Sequence, residues 1–197
     1  MTDEDWSAIE RTLAGDADAY RLLVLRYQDR LFNSLFQASR SREDAEEVTQ
    51  EAFLQAYRRL GSFEARASFS TWLYRIAFNL LYSQRRRQRR VVSLDALPNP
   101  DVVDRREPPE AEMERQERVQ LVHRALDQLP DEQRSILVLR ELEGYDYRQI
   151  ADALELPPGT VRSRLHRARL QLREHLDRLL ADRPPDRSAD TRSPFPT

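Results

Sequence analysis

Residues 147–176 read YRQIADALELPPGTVRSRLHRARLQLREHL, two apolar-periodic runs split by Leu156-Pro157-Pro158-Gly159. Proline lacks a backbone donor and glycine admits positive φ, so the run breaks there and a tight turn joins two helices. Ile150, Ala151 and Leu154 are spaced to meet Val161 and Leu165 across that turn, and the small Ala151 lets the second helix come close. This is the spacing of a helix-turn-helix. With a helix beginning at Thr160 and turning about 100° per residue, Val161, Leu165, Ala168 and Leu172 share one side. Arg162, Ser163, His166 and Arg167 share the other. Five arginines and no acid lie between Pro157 and Arg173. Such a face suits a DNA major groove, where guanidinium forks hold phosphates and read guanine. The plainer reading is a solvated basic helix in an ordinary bundle.

That local charge stands out against the whole chain. Its 197 residues carry 32 basic and 34 acidic side chains, a formal net charge of -2. Every basic residue is arginine, because the sequence contains no lysine, and there is no cysteine. Disulfides, thiolate metal sites, cysteine nucleophiles and lysine Schiff bases are thereby excluded. With only His123, His166 and His175, no HExxH and no glycine-rich phosphate loop, nothing points to an enzyme, a metal or a cofactor. The acidic start MTDEDWSAIERT lacks a secretory pattern, and no apolar run is long enough for a membrane helix. A cytoplasmic protein without membrane insertion is expected. Four glycines and helical rather than alternating apolar spacing predict an all-α chain.

Upstream, Tyr20, Leu23, Val24, Tyr27, Leu31 and Leu35 keep the three-and-four spacing of an amphipathic helix. A second helix starts in SREDAEE, with Ser41 as N-cap and acids in its first turns. It runs through Val48, Ala52, Phe53, Ala56, Tyr57 and Leu60 to Gly61, placed as a C-terminal glycine. This leaves Glu47, Gln50, Glu51 and Gln55 on one outer face, either merely solvated or able to dock a basic protein surface. After the loop GSFEARAS a third helix is expected over residues 70–88. Trp72, Leu73, Ile76, Ala77 and Leu80 form one stripe of it, and Tyr74, Phe78 and Tyr82 recur on nearly the opposite side. One set belongs to a core, and the other needs a second partner. SQRRRQRR follows directly, including Arg85 and Arg86, with no acid between Tyr74 and Val92. Aromatic rings beside guanidiniums suit single-stranded nucleic acid, whose bases stack on rings while its backbone follows the charge. A helix buried on both sides explains the same pattern without a ligand.

Beyond Arg90, Pro98, Pro100, Pro108 and Pro109 punctuate a charged stretch, and residues 95–118 hold eight acids against four arginines. The expected organisation is two small helical domains joined by a flexible linker: residues 1–92, an acidic proline-containing linker over 93–110, a helix-turn-helix domain over 111–181, and a disordered tail over 182–197.

Two long segments carry a family resemblance. DAEEVTQEAFLQAYRRLGSF (44–63) with FSTWLYRIAFNLLYSQRRRQRR (69–90) resembles region two of the extracytoplasmic-function sigma factors of bacterial RNA polymerase. LPDEQRSILVLRELEGYDYRQIADALELPPGTVRSRLHRARLQLRE (129–174) resembles their region four. The resemblance implies a transcription initiation factor that binds core polymerase and promoter DNA, duplex and single-stranded, and that an anti-sigma factor restrains. It implies that Glu47, Gln50 and Glu51 dock on the polymerase clamp. It places capture of unpaired minus-ten bases on the loop with Ser62 and Phe63, and on Thr71, Trp72, Tyr74, Asn79, Arg85 and Arg86. It gives Thr160, Arg162, Ser163, His166 and Arg167 the duplex minus-thirty-five element, and runs the linker through the polymerase near the RNA exit path. Glu155 departs from the family at a turn position usually held by glycine, where a positive φ costs about 1 kcal/mol. A free-standing helix-turn-helix regulator is the rival; it leaves the Glu47 face and the aromatic helix without a role.

Overall fold

Thr2 starts the first helix, α1 (Asp3–Leu13), which the periodicity above does not announce. Its hydroxyl accepts the Asp5 amide while the Asp5 carboxylate accepts the Thr2 amide, a reciprocal capping box. Asp5 is itself buried. Burial opposes its charge, but hydrogen bonds from Tyr27, the Thr2 amide and Arg26 outweigh that and hold its carboxyl below the ordinary aspartate range. The computed structural model describes residues 2–91 and 110–182. Apart from Glu110 and Asp182, the expected linker (93–110) and tail (182–197) lie outside the described residues.

Three helices complete the N-terminal half: α2 (Ala17–Ser39), α3 (Arg42–Arg58) and α4 (Phe69–Val91). Between α2 and α3 the chain reverses within two residues. Arg40 takes the left-handed conformation, φ 57°, and Ser41 caps α3 by accepting the Asp44 amide at 3.1 Å. The Ser41 cap is as expected; the end of α3 is not. The helix stops at Arg58, and Leu60–Ser62 forms a 3-10 turn. Gly61 lies inside that turn and is not among the positive-φ residues. Tyr57 also leaves the stripe assigned to it and stands 47% exposed.

The C-terminal half holds α5 (Glu110–Asp127), α6 (Asp131–Leu137), α7 (Tyr147–Leu154) and α8 (Pro158–Ala181). A π-helical segment, Val138–Leu142, extends α6, and Gly144 with φ +68° turns the chain towards α7. Asp146 and Gln149 form a second capping box at the start of α7. Pro157 precedes α8 and Pro158 is its first residue, where a missing amide costs nothing. Ile150, Ala151, Leu154, Val161, Leu165 and Ala168 are all buried, as the helix-turn-helix spacing predicts. Glu155 is left-handed at φ 51° in the turn between α7 and α8. No strand occurs among the described residues.

One buried cluster runs through both halves. Helices α1, α2, α3 and α4 pack in sequence, α8 gathers α5, α6 and α7, and α4 packs along α7 while α2 meets α6. This resolves the two-sided pattern of α4. Leu73, Ala77 and Ile76 are buried, and so are Tyr74 and Phe78, with Tyr82 largely covered. The Tyr74 ring lies 5.4 Å from that of Tyr145 in the C-terminal half.

Candidate nucleic-acid and docking interfaces

The short loop ahead of α4 builds a cleft. Ala65 is left-handed at φ 54°, which bends the chain back over the helix, and Ser68 caps α4 by accepting the Thr71 amide at 3.1 Å. Phe63, Phe69 and Trp72 pack ring against ring at 5.2 to 6.1 Å and so fix the floor. The resulting cleft, 410 Å³ in volume, is lined by Ser62, Phe63, Thr71 and Trp72, with Arg66 and Arg75 at its edge. Thr71 and Trp72 are themselves buried, so the open part of this wall is the half-buried Phe63 with the exposed Arg66 and Arg75. Rings beside guanidiniums are the pattern that suits a stacked base and its phosphate. Arg75 was not singled out in the sequence, although it follows Thr71 by four residues and Trp72 by three, the spacing that puts it on their face.

The remaining expected strand-binding residues divide sharply. Asn79 and Arg86 are exposed. Arg85 is held in place by the Ser39 carbonyl, Asp44 at 3.3 Å and Asp131 at 3.4 Å. Tyr74 is 1% exposed and sits 3.3 Å from the Ser34 hydroxyl, and burial pushes its phenol far above the usual value. It offers no open platform to a base in this arrangement.

On α8 the arginines differ in their partners. Arg164 pairs with Glu132 at 2.7 Å and Arg169 with Glu141 at 2.6 Å. Arg162 and Arg167 are exposed beside Ser163 and His166, and no ion pair holds either among the described residues. Thr160 is half-buried at the helix start, and its carbonyl accepts the Ser163 hydroxyl at 3.1 Å. The face that sequence spacing assigned to DNA therefore projects two free guanidinium forks.

On α3, Gln50 is exposed, Glu47 accepts from Gln84 at 2.7 Å and Glu51 from Gln55 at 3.0 Å. These three border a 390 Å³ cleft with Leu54 and Arg87. Beside it, sharing Gln50 and Leu54, an apolar groove of 570 Å³ runs between α2 and α3 over Tyr20, Val24, Phe53 and Tyr57. The sequence reading found the polar half of this surface and missed the apolar half, because Leu54 and Tyr57 flank a buried stripe and look like part of it. Among the described residues no group of histidines and acids is placed to hold a metal ion, and no helix is long and apolar enough to cross a membrane.

A helix-turn-helix with open guanidiniums and an aromatic-walled cleft, on one chain, are features of the class of nucleic-acid-binding proteins. Known families narrow this further. Residues 23–91 match the family model "Sigma-70 region 2" and residues 120–172 match "Sigma-70, region 4". The RNA polymerase sigma-H factor of Pseudomonas aeruginosa is 39% identical over 188 residues, covering 91% of this chain and 97% of the relative. The ECF RNA polymerase sigma-E factor of Escherichia coli K12 is 39% identical over 173 residues, covering 84% and 90%. Among solved structures, the sigma factor RpoE of Bartonella quintana, determined in complex with the anti-sigma factor NepR, superposes with a TM-score of 0.67 at 26% identity, covering 83% of this chain and 98% of that one. CnrH, determined with the cytosolic domain of CnrY, shares the fold at TM-score 0.64 and 23% identity, covering 92% and 100%. The chain belongs to the sigma-70 family, in its extracytoplasmic-function group of RNA polymerase sigma factors, and is a promoter-specific transcription initiation factor. Family membership sets aside the free-standing regulator.

Proposed function

We propose that Glu47, Gln50 and Glu51, with the apolar groove beside them, dock core RNA polymerase. In this reading α8 reads the minus-thirty-five duplex through Thr160, Arg162, Ser163, His166 and Arg167. The cleft between Phe63 and Trp72 takes unpaired minus-ten bases, with Ser62, Thr71 and Asn79 around it and Arg85 and Arg86 along the strand. Residues 1–92 then act as region two, 93–110 as the connecting segment and 111–181 as region four. The chain catalyses no covalent step; it works in the cytoplasm, and an anti-sigma factor is its natural antagonist.

The observation that carries this reading is that one chain pairs a helix face with two exposed arginines, Arg162 and Arg167, free of ion pairs among the described residues, with a separate cleft walled by Phe63 and Trp72. The first suits duplex and the second single bases. Melting needs no nucleotide hydrolysis in such a scheme. Unstacking costs a few kcal/mol per step, and each base stacked on an aromatic ring returns roughly 1–3 kcal/mol. A few captured bases, helped by polymerase contacts, are enough to shift a promoter towards the open state.

The test is co-elution with bacterial core polymerase. The wild-type chain is expected to co-elute, and the Glu47→Ala, Gln50→Ala, Glu51→Ala triple variant is expected to lose most of the complex while keeping its helical circular dichroism. A folded wild-type chain that fails to bind core polymerase overturns the reading.

A further inference from the structure

Helix α1 lines no part of the cleft of Ser62, Phe63, Thr71 and Trp72, yet two routes join it to that cleft. The first runs through the core. Asp5, 1% exposed, accepts from Arg26 on one carboxylate oxygen at 2.5 Å and from the Tyr27 hydroxyl on the other at 2.8 Å. Hydrogen bonds to an ionised acceptor are the strong ones. Burial, and after it the Asp5 carboxylate, push the Tyr27 phenol far above its usual value, so it stays a donor at neutral pH. Anchored at its tip in this way, the Tyr27 ring lies 5.6 Å from that of Phe69. Phe69 is fully buried and carries Phe63 edge-on at 6.1 Å and Trp72 at 5.9 Å. Phe63 is the half-buried ring that the cleft leaves open.

The second route runs along the surface. The end of α1 packs on the Leu60–Ser62 turn, where a Leu13 methyl lies 4.0 Å from the position that a Cβ on Gly61 would take. The Phe63 amide closes that turn on the Leu60 carbonyl at 3.1 Å. Both the ring and the backbone of Phe63 are therefore held from α1. Neither tie is what seats α1 itself, because Ala8 and Ile9 bury its apolar face. A stacking ring binds best when its plane is fixed before the base arrives, since ordering it afterwards costs binding energy.

We propose that Asp5, acting through Tyr27 and Phe69, and Leu13, acting through the Leu60–Ser62 turn, are positioning residues that fix the Phe63 ring for base capture. This rests on the strand-binding role proposed above for the cleft. Helix α1 then contributes to minus-ten recognition without touching DNA. It sets the ring, and Arg66 and Arg75 meet the strand.

The chain has two tryptophans, Trp6 and Trp72, so Trp6→Phe leaves Trp72 as the sole emitter, inside the ring cluster. In this background Tyr27→Phe keeps the ring and deletes its hydroxyl, and Leu13→Ala shortens a residue that is 56% exposed. Each is expected to raise acrylamide quenching of Trp72. Each is also expected to weaken holoenzyme binding to the fluorescein-labelled, single-stranded minus-ten segment of a cognate promoter by about fivefold, the low end for one stacked base. Core polymerase binding and holoenzyme affinity for a duplex minus-thirty-five fragment are expected to stay at the parent's values. Asp5→Asn, whose amide oxygen still accepts the Tyr27 hydroxyl, is expected to keep most of the strand affinity that Asp5→Ala loses. If α1 is only part of the core, these variants lose stability in urea while the folded proteins keep the parent's Trp72 quenching and strand affinity, and that result overturns the positioning role. Phe63→Ala separates the two readings. Strand binding lost in Phe63→Ala but not in Tyr27→Phe or Leu13→Ala overturns the positioning alone. Strand binding unchanged in Phe63→Ala overturns the cleft as the base site, while Trp72 quenching still reports whether α1 holds the rings.

Discussion

The two cationic faces of this chain are built from the same side chain and meet opposite fates. On α8, Arg162 and Arg167 stand free in solvent; on α4, Arg85 is tied to Ser39, Asp44 and Asp131, and Tyr74 lies under Tyr145. The difference follows from what else each helix carries. α8 has one apolar stripe, Val161, Leu165 and Ala168, which its own half satisfies, so its other face is left to water. α4 has two, and the aromatic one buries itself wherever a second surface is offered. A guanidinium on a singly amphipathic helix is available to DNA by default. On a doubly apolar helix its availability depends on conformation.

The largest effect that breaks or supports this contrast is expected at Phe78, fully buried between Tyr74 and Tyr82 with ring centroids at 6.3 and 6.2 Å. If the aromatic run is core, Phe78→Ala lowers stability by about 3–5 kcal/mol, the cost of an aromatic cavity. Urea unfolding measures it. A loss below about 1 kcal/mol, as for surface substitutions generally, shows instead that the run is a solvent-facing platform.

Next in size is the open face. A guanidinium that reads a base bidentately is worth about 1–3 kcal/mol of discrimination, so Arg162→Ala or Arg167→Ala is expected to weaken holoenzyme binding to a cognate promoter by about 5- to 150-fold. Arg164, paired with Glu132, and Arg169, paired with Glu141, lie on the same helix. Their alanine variants are expected to stay within about fivefold of wild type, since an exposed pair contributes only about 0–1 kcal/mol. Equal losses at all four positions, in quantitative promoter footprinting, erase the distinction between free and paired arginines.

How far the sequence reveals these features depends on how local their causes are. The Ser41 cap, the turn at Glu155 and the stripe Val161, Leu165 and Ala168 are decided within a few residues, and each is found where spacing puts it. The cap at Thr2 was equally local: Thr2 and Asp5 have capping-box spacing, but a start read only for a leader pattern hides it. Gly61 misleads because a glycine after an apolar run suits a left-handed helix end, whereas here a 3-10 turn takes up the reversal and Arg40 and Ala65 supply left-handed residues elsewhere. The π segment at Val138–Leu142 carries no sequence mark, since one hydrogen bond shifted by a residue leaves the apolar spacing almost intact. The site divides in the same way. Arg162 and Arg167 are legible from one helix; the second partner of Tyr74 lies 71 positions away at Tyr145, and no local pattern names it.

The smallest effect sits at the joint between α7 and α8. Glu155 holds φ 51° with its side chain exposed, so its strain is not offset by burial. Placing an L-residue in the left-handed region costs about 1–2 kcal/mol, and Glu155→Gly relieves that. Glycine also loosens the unfolded chain, which takes back about 0.4–1 kcal/mol. A net stabilisation of about 0.5–1 kcal/mol is expected in urea. Promoter affinity should not move, because α8 is already set by Val161 and Leu165 against Ile150 and Leu154. A variant that gains stability but changes promoter binding shows that the turn is a hinge, and that the open face, like the covered one, is conditional.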